Sequence, residues 1–73
     1  MEEHANIVRR FGQRLRELRK ERGLSQEEFA ARAGLNRSYV SDVERGVRNI
    51  SLQNIDVVAK TLGLTVSELM QGV

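Results

Sequence analysis

Glycine punctuates this chain more strongly than any other feature. Gly23, Gly34, Gly46, Gly63 and Gly72 each follow a stretch whose apolar residues recur at helical spacing, where a left-handed residue ends a helix. Five helices are expected, and no proline interrupts them. Start signals agree: Ser25 with Glu28 and Thr65 with Glu68 fit the capping box, and Asn36 and Ser51 are simple N-caps. The sixth glycine, Gly12, falls inside the first helix at a cost of about 1 kcal/mol against alanine, which points to a close helix contact there.

Apolar spacing assigns the buried faces. Ile7, Phe11, Leu15 and Leu18 serve a first helix over about 6–22, and Phe29, Ala30 and Ala33 serve the second. Tyr39, Val40 and Val43 belong to the third, and Leu52, Ile55, Val58, Ala59 and Leu62 to the fourth. Val66, Leu69 and Met70 belong to a last helix over about 65–71. No stretch alternates with period two, so the class is all-α: one domain over 6–73, with residues 1–5 expected to fray. A chain of 73 residues buries only about 60% of its unfolded surface, and without cysteine nothing staples the core, so a homodimer would help it. The lack of cysteine also fits a reducing compartment, the cytoplasm. The longest aliphatic run is Val57-Val58-Ala59, and the acidic start is no signal peptide, so no membrane association is expected.

Ten of the twelve cations are arginine, and seven of the twelve lie between Arg9 and Arg22. Arginine's planar fork fits phosphate and the guanine edge, although an arginine-rich helix can equally be a solvated face. The only histidine, His4, lies in the expected tail, so no Ser-His-Asp set, metal site or histidine base can be assembled. Phosphate-cradling glycine loops are absent, and the paired carboxylates Glu27–Glu28 and Asp42–Glu44 have no cleft to tune them. The reading is of a non-enzyme without cofactor or metal.

Residues 25–44, SQEEFAARAGLNRSYVSDVE, place two short helices around the turn Gly34-Leu35-Asn36. Steps of four from Gln26 to Ala30, four to Gly34, six to Val40 and three to Val43 form a helix-turn-helix. Ala30 admits close helix approach, Gly34 makes the turn, and Val40 and Val43 lock the third helix in place. From about Phe11 to Met70 the chain resembles the phage-repressor type, or XRE-like, helix-turn-helix proteins such as Cro and lambda repressor. This resemblance implies a compact five-helix, lambda-repressor-like DNA-binding domain. More narrowly, LNRSYVSDVERGVRNIS over 35–51 is similar to the controller proteins of restriction-modification systems. Those are small dimers that regulate their own gene and that of the endonuclease. Asn36 stands where Asp or His is more usual in controllers, which bears on the operator sequence.

With Tyr39, Val40 and Val43 in the core, Arg37, Ser38, Ser41 and Asp42 face outward from the third helix. In this motif the N-terminal half of that helix enters the major groove. Arg37 can pair bidentately with guanine, and Ser38 can donate to or accept from a base edge or phosphate. Tyr39 is either core or a hydroxyl reaching phosphate; Asp42 either accepts from cytosine N4 or orients an arginine. Gln26 resembles the family's phosphate-binding glutamine at a helix N-terminus, and Asn36 opens the reading helix. Arg48 and Asn49 flank the opposite phosphates, or form a plain surface loop. The resemblance also sets Arg19 opposite Glu44 as an ion pair. Leu64, Val66, Leu69, Met70 and Val73 form a dimer face, unless they only cap the monomer core.

The function expected is a homodimeric regulator on a palindromic operator of double-stranded DNA, in the role of an autoregulatory restriction-modification controller. RNA polymerase is a further candidate partner if occupancy activates. The alternative is an antitoxin-like protein-interaction module that also binds DNA, against which the end at Val73 leaves no toxin-binding tail. RNA is a weaker option, because an A-form major groove excludes a helix.

Overall fold

The structure is a computed structural model that describes residues 2–73, with side chains from Ile7 onward. Five helices follow one another: α1 (Glu2–Glu21), α2 (Gln26–Ala33), α3 (Arg37–Glu44), α4 (Leu52–Leu62) and α5 (Val66–Leu69). There is no strand among the described residues. α1 begins before the residue at which its apolar pattern starts, and the expected fraying of 1–5 lies outside the residues whose side chains are described. α5 is shorter than expected, because Met70 already leaves helical geometry and the chain turns through Gly72.

Local chemistry sets each boundary. Ser25 Oγ accepts from the Glu28 amide at 3.0 Å while Glu28 Oε1 accepts from the Ser25 amide at 2.8 Å, closing a capping box on α2. Thr65 and Glu68 repeat it on α5 at 3.0 and 2.9 Å. Asn36 and Ser51 cap α3 and α4 through their side-chain oxygens. All five glycines expected to end a stretch have positive φ. At Gly34 this lets the Leu35 amide reach back to the Ala30 carbonyl at 2.9 Å, turning the chain from α2 into α3.

The core forms where the helices cross. Phe11, Leu15 and Leu18 of α1 meet Phe29 and Ala30 of α2, Val40 and Val43 of α3, and Val58, Ala59 and Leu62 of α4. Gly12 is required by this crossing: a β-carbon there would collide with the carbonyl oxygens of Val43 and Glu44. Three assigned core positions are exposed. Ile7, in the second turn of α1, is 43% exposed, Val66, at the first position of α5, 39%, and Leu52, at the first position of α4, 80%. Helical spacing identifies a face, but a helix can overhang the layer beneath it near its N-terminal end. Leu69 is corrected in the other direction: it is fully buried in its own chain and cannot meet a partner, so it leaves the proposed dimer face.

Three arginines of α1 and the turn after it are committed within the fold. Arg14 Nε and Nη2 donate to the carbonyls of Leu69 (3.0 Å) and Glu68 (2.8 Å), and Arg22 Nε donates to that of Leu62 (3.2 Å). The Leu69 and Leu62 carbonyls, at the ends of α5 and α4, have no amide partner, Glu68 shares its carbonyl with the Gln71 amide (3.3 Å), and a cation suits the negative end of the helix dipole. Arg19 turns instead toward α3.

Candidate nucleic-acid interface

Arg19 and Glu44 anchor the helix that carries the candidate reading residues. Arg19 Nε donates to Glu44 Oε2 at 2.7 Å and Nη2 to Oε1 at 3.0 Å, a two-point contact between side chains only 8% and 3% exposed. Arg19 Nη1 donates to the Leu24 carbonyl at 2.6 Å, so the guanidinium joins α1, the α1–α2 loop and α3. The hydrogen bonds it donates to Glu44 hold the Arg19 guanidinium above its ordinary pKa, against the opposing pull of burial. Gln26 Nε2 also donates to Glu44 Oε1 at 3.0 Å. One amide proton of Gln26 is thus held inward and the other remains for an anion at the start of α2.

On α3, Asn36 Oδ1 accepts from the Ser38 amide (2.9 Å) and hydroxyl (2.6 Å), which occupies its oxygen and leaves its NH2 group outward. With its proton on Asn36, Ser38 meets an approaching base as an acceptor, suited to adenine N6 or cytosine N4. Arg37 is exposed and has no hydrogen bond or ion pair among the described residues. Ser41 and Asp42 are half-buried, and Asp42 accepts from Arg45 Nη2 at 2.6 Å. Of the two readings of Asp42, the free protein has the one in which it orients an arginine. Arg45, which spacing did not single out because it falls at the helix C-cap, joins the surface in this way.

The loop after α3 is tied to Tyr39. Its ring is half-buried against the core, its hydroxyl accepts from Asn54 Nδ2 at 3.0 Å, and the Arg48 guanidinium lies 5.0 Å from the ring centroid. The ring packs, as the core reading of Tyr39 expects, and the hydroxyl proton stays free to donate. Asn49 is exposed beside Arg48. Asn54 had no sequence signal, because its partner is fifteen positions away on another helix. On the candidate dimer surface, Leu64, Met70 and Val73 are half-buried and Val66 is 39% exposed. Val47 is also exposed. Among the described residues no group of His, Cys, Asp and Glu could hold a metal, and no helix is long and apolar enough to cross a membrane.

A capped pair of short helices around a glycine turn, the second pinned by a buried ion pair and presenting a free arginine at its start, defines a helix-turn-helix domain. The chain belongs to the helix-turn-helix family, which matches residues 15–69. Within that family it is similar to restriction-modification control proteins. It is 49% identical over 69 residues to control protein C.MunI of Mycoplasma sp., covering 93% of each chain. The crystal structure of controller protein C.AhdI from Aeromonas hydrophila is 55% identical with a TM-score of 0.86, over 90% of this chain and 96% of that one. The biofilm regulator SinR in complex with DNA is 39% identical with a TM-score of 0.77, over 82% and 97%.

Proposed function

We propose that this protein is a sequence-specific transcriptional regulator that binds a palindromic operator as a homodimer, in the role of a restriction-modification controller. The observation that carries the reading is Arg37, exposed and without a partner on the first turn of a helix whose pose the Arg19–Glu44 pair fixes. A guanidinium held there can form a bidentate contact with guanine N7 and O6, while Gln26, Arg48 and Asn49 meet phosphates on either side. Similarity to control proteins and to a regulator solved with DNA supports the same reading. Two-fold pairing through Leu64, Val66, Met70 and Val73 would set two α3 helices on successive major grooves.

The test is selection of binding sites from a random duplex library by wild type, Arg37→Ala and Arg48→Ala. Arg37→Ala should cost about 1–3 kcal/mol and relax preference at one position of each half-site. Arg48→Ala should weaken all sequences alike and lower the salt slope by about one. A library from which wild type enriches no sequence defeats the proposal.

A further inference from the structure

Seven cations lie between Arg9 and Arg22, six of them on α1, and the fold commits only Arg14, Arg19 and Arg22. Of the other four, Arg9, Arg16 and Lys20 fall with Gln13 at steps of four, three and four, which is one helix face. These side chains line a single open groove that Arg45, from the end of α3, completes on its far side. Arg9, Arg16 and Lys20 are exposed and have no ion-pair partner among the described residues. Two carboxylates share the groove. Glu44 is neutralised by Arg19, so only Glu17 opposes the three free cations.

The groove is built by close packing. The backbone and side-chain stem of Arg9 press on Gly46, where a β-carbon would lie 2.7 Å from Arg9 Cγ, so α1 is held against the turn that ends α3. From Arg9 to Lys20 the row is about 16 Å long, comparable with the axial rise of about five base pairs. It is continuous with the candidate reading surface through Arg45 and Asp42, yet begins about 12 Å along α3 from Arg37. A cationic row of this length, extending away from the base-reading turn, fits a sugar-phosphate backbone beyond the bases that α3 reads.

We propose that this α1–α3 groove binds the phosphates of DNA flanking each half-site, adding length-dependent affinity that the helix-turn-helix alone does not supply. The inference rests on the DNA-binding reading above. Its test uses the site that wild type selects, in one duplex ending at the site and another extended by about ten base pairs, one helical turn, on each side. Wild type should bind the long duplex more tightly. Arg9→Gln/Arg16→Gln/Lys20→Gln should match wild type on the short duplex, while on the long one its slope of log affinity against log salt falls by about two to three. Arg16→Gln/Lys20→Gln leaves the Arg9 stem on Gly46 and should lower that slope by about one to two, which keeps the test open if the triple variant does not fold. Equal losses on both duplexes overturn the inference. Unchanged binding to both overturns it too and leaves the groove to an acidic protein segment, whereas a wild type that selects no site defeats the functional reading itself.

Discussion

Replacing Glu44 with alanine removes the acceptor of three hydrogen bonds, two from Arg19 and one from Gln26. Gln26 sits at the edge and can turn to water. Arg19 cannot follow it, because its side chain is 8% exposed and Nη1 remains tied to the Leu24 carbonyl. Nε and Nη2 would be left charged, largely out of water and without an acceptor. Each such donor costs about 1–3 kcal/mol, and breaking a buried pair from one side costs about 3–5 kcal/mol, so the two estimates agree. For a domain of 60–100 residues, 3 kcal/mol corresponds to a fall in Tm of about 12–24 °C. Thermal and urea melts of wild type and Glu44→Ala give the number. Arg19→Met/Glu44→Leu completes the comparison: removing both charges should recover most of the loss, because no charge is then stranded. A Glu44→Ala melt within about 1 kcal/mol of wild type would refute the reasoning and class the pair with exposed bridges.

Gly12→Ala should destabilise the fold despite alanine's helix preference, since about 1–3 kcal/mol of overpacking against immovable carbonyls opposes about 1 kcal/mol of recovered propensity; a raised Tm would contradict the crossing. Val66→Asp, placed on the most exposed residue of the proposed dimer face, should give a folded monomer by sedimentation, and a persistent dimer would move the interface. The Glu28 carboxyl is held below the usual carboxylate range, chiefly by the hydrogen bond from the Ser25 amide and then by the Ser25 side chain. A depressed folded value stabilises above the unfolded pKa, about 4.3, and that contribution is lost as pH falls through the folded one. The Tm difference between wild type and Glu28→Gln should therefore close in acid, and a difference that widened there would reverse the sign.

What was legible in the sequence is what acts over a few residues. Ser25 and Glu28, Thr65 and Glu68, and the glycine that turns α2 into α3 find their partners within one helical turn, so spacing alone locates them. Gly12 was legible by its cost, although not the carbonyls that exclude its side chain. The arginines between 9 and 22 were not legible one by one: Arg14 and Arg22 find carbonyls 55 and 40 positions away, and nothing in their neighbourhood separates them from Arg9 or Arg16. The candidate interface divides in the same way. Exposure of Arg37 follows from the burial of Val40 and Val43, whereas the stacking of Arg48 on Tyr39 and the Asn54 bond depend on where α4 docks. Leu52 is exposed because periodicity gives a direction around a helix and no depth along it, whereas Leu69 is buried as its spacing predicts and fails only as a partner contact.

Arg14 and Arg19 stand five residues apart on α1, about 7.5 Å along one rigid rod. One holds the end of α5 and the other the end of α3. If α5 seats the second copy, α1 ties the reading helix to the two-fold axis by a direct route, beside the one that runs through α4, on which α5 packs. The direct route restrains the rotational phase of the two half-sites on the duplex against drift in the loops that join α3, α4 and α5. Loss of the Arg14 bonds would instead let one protein accept operators whose halves differ in separation.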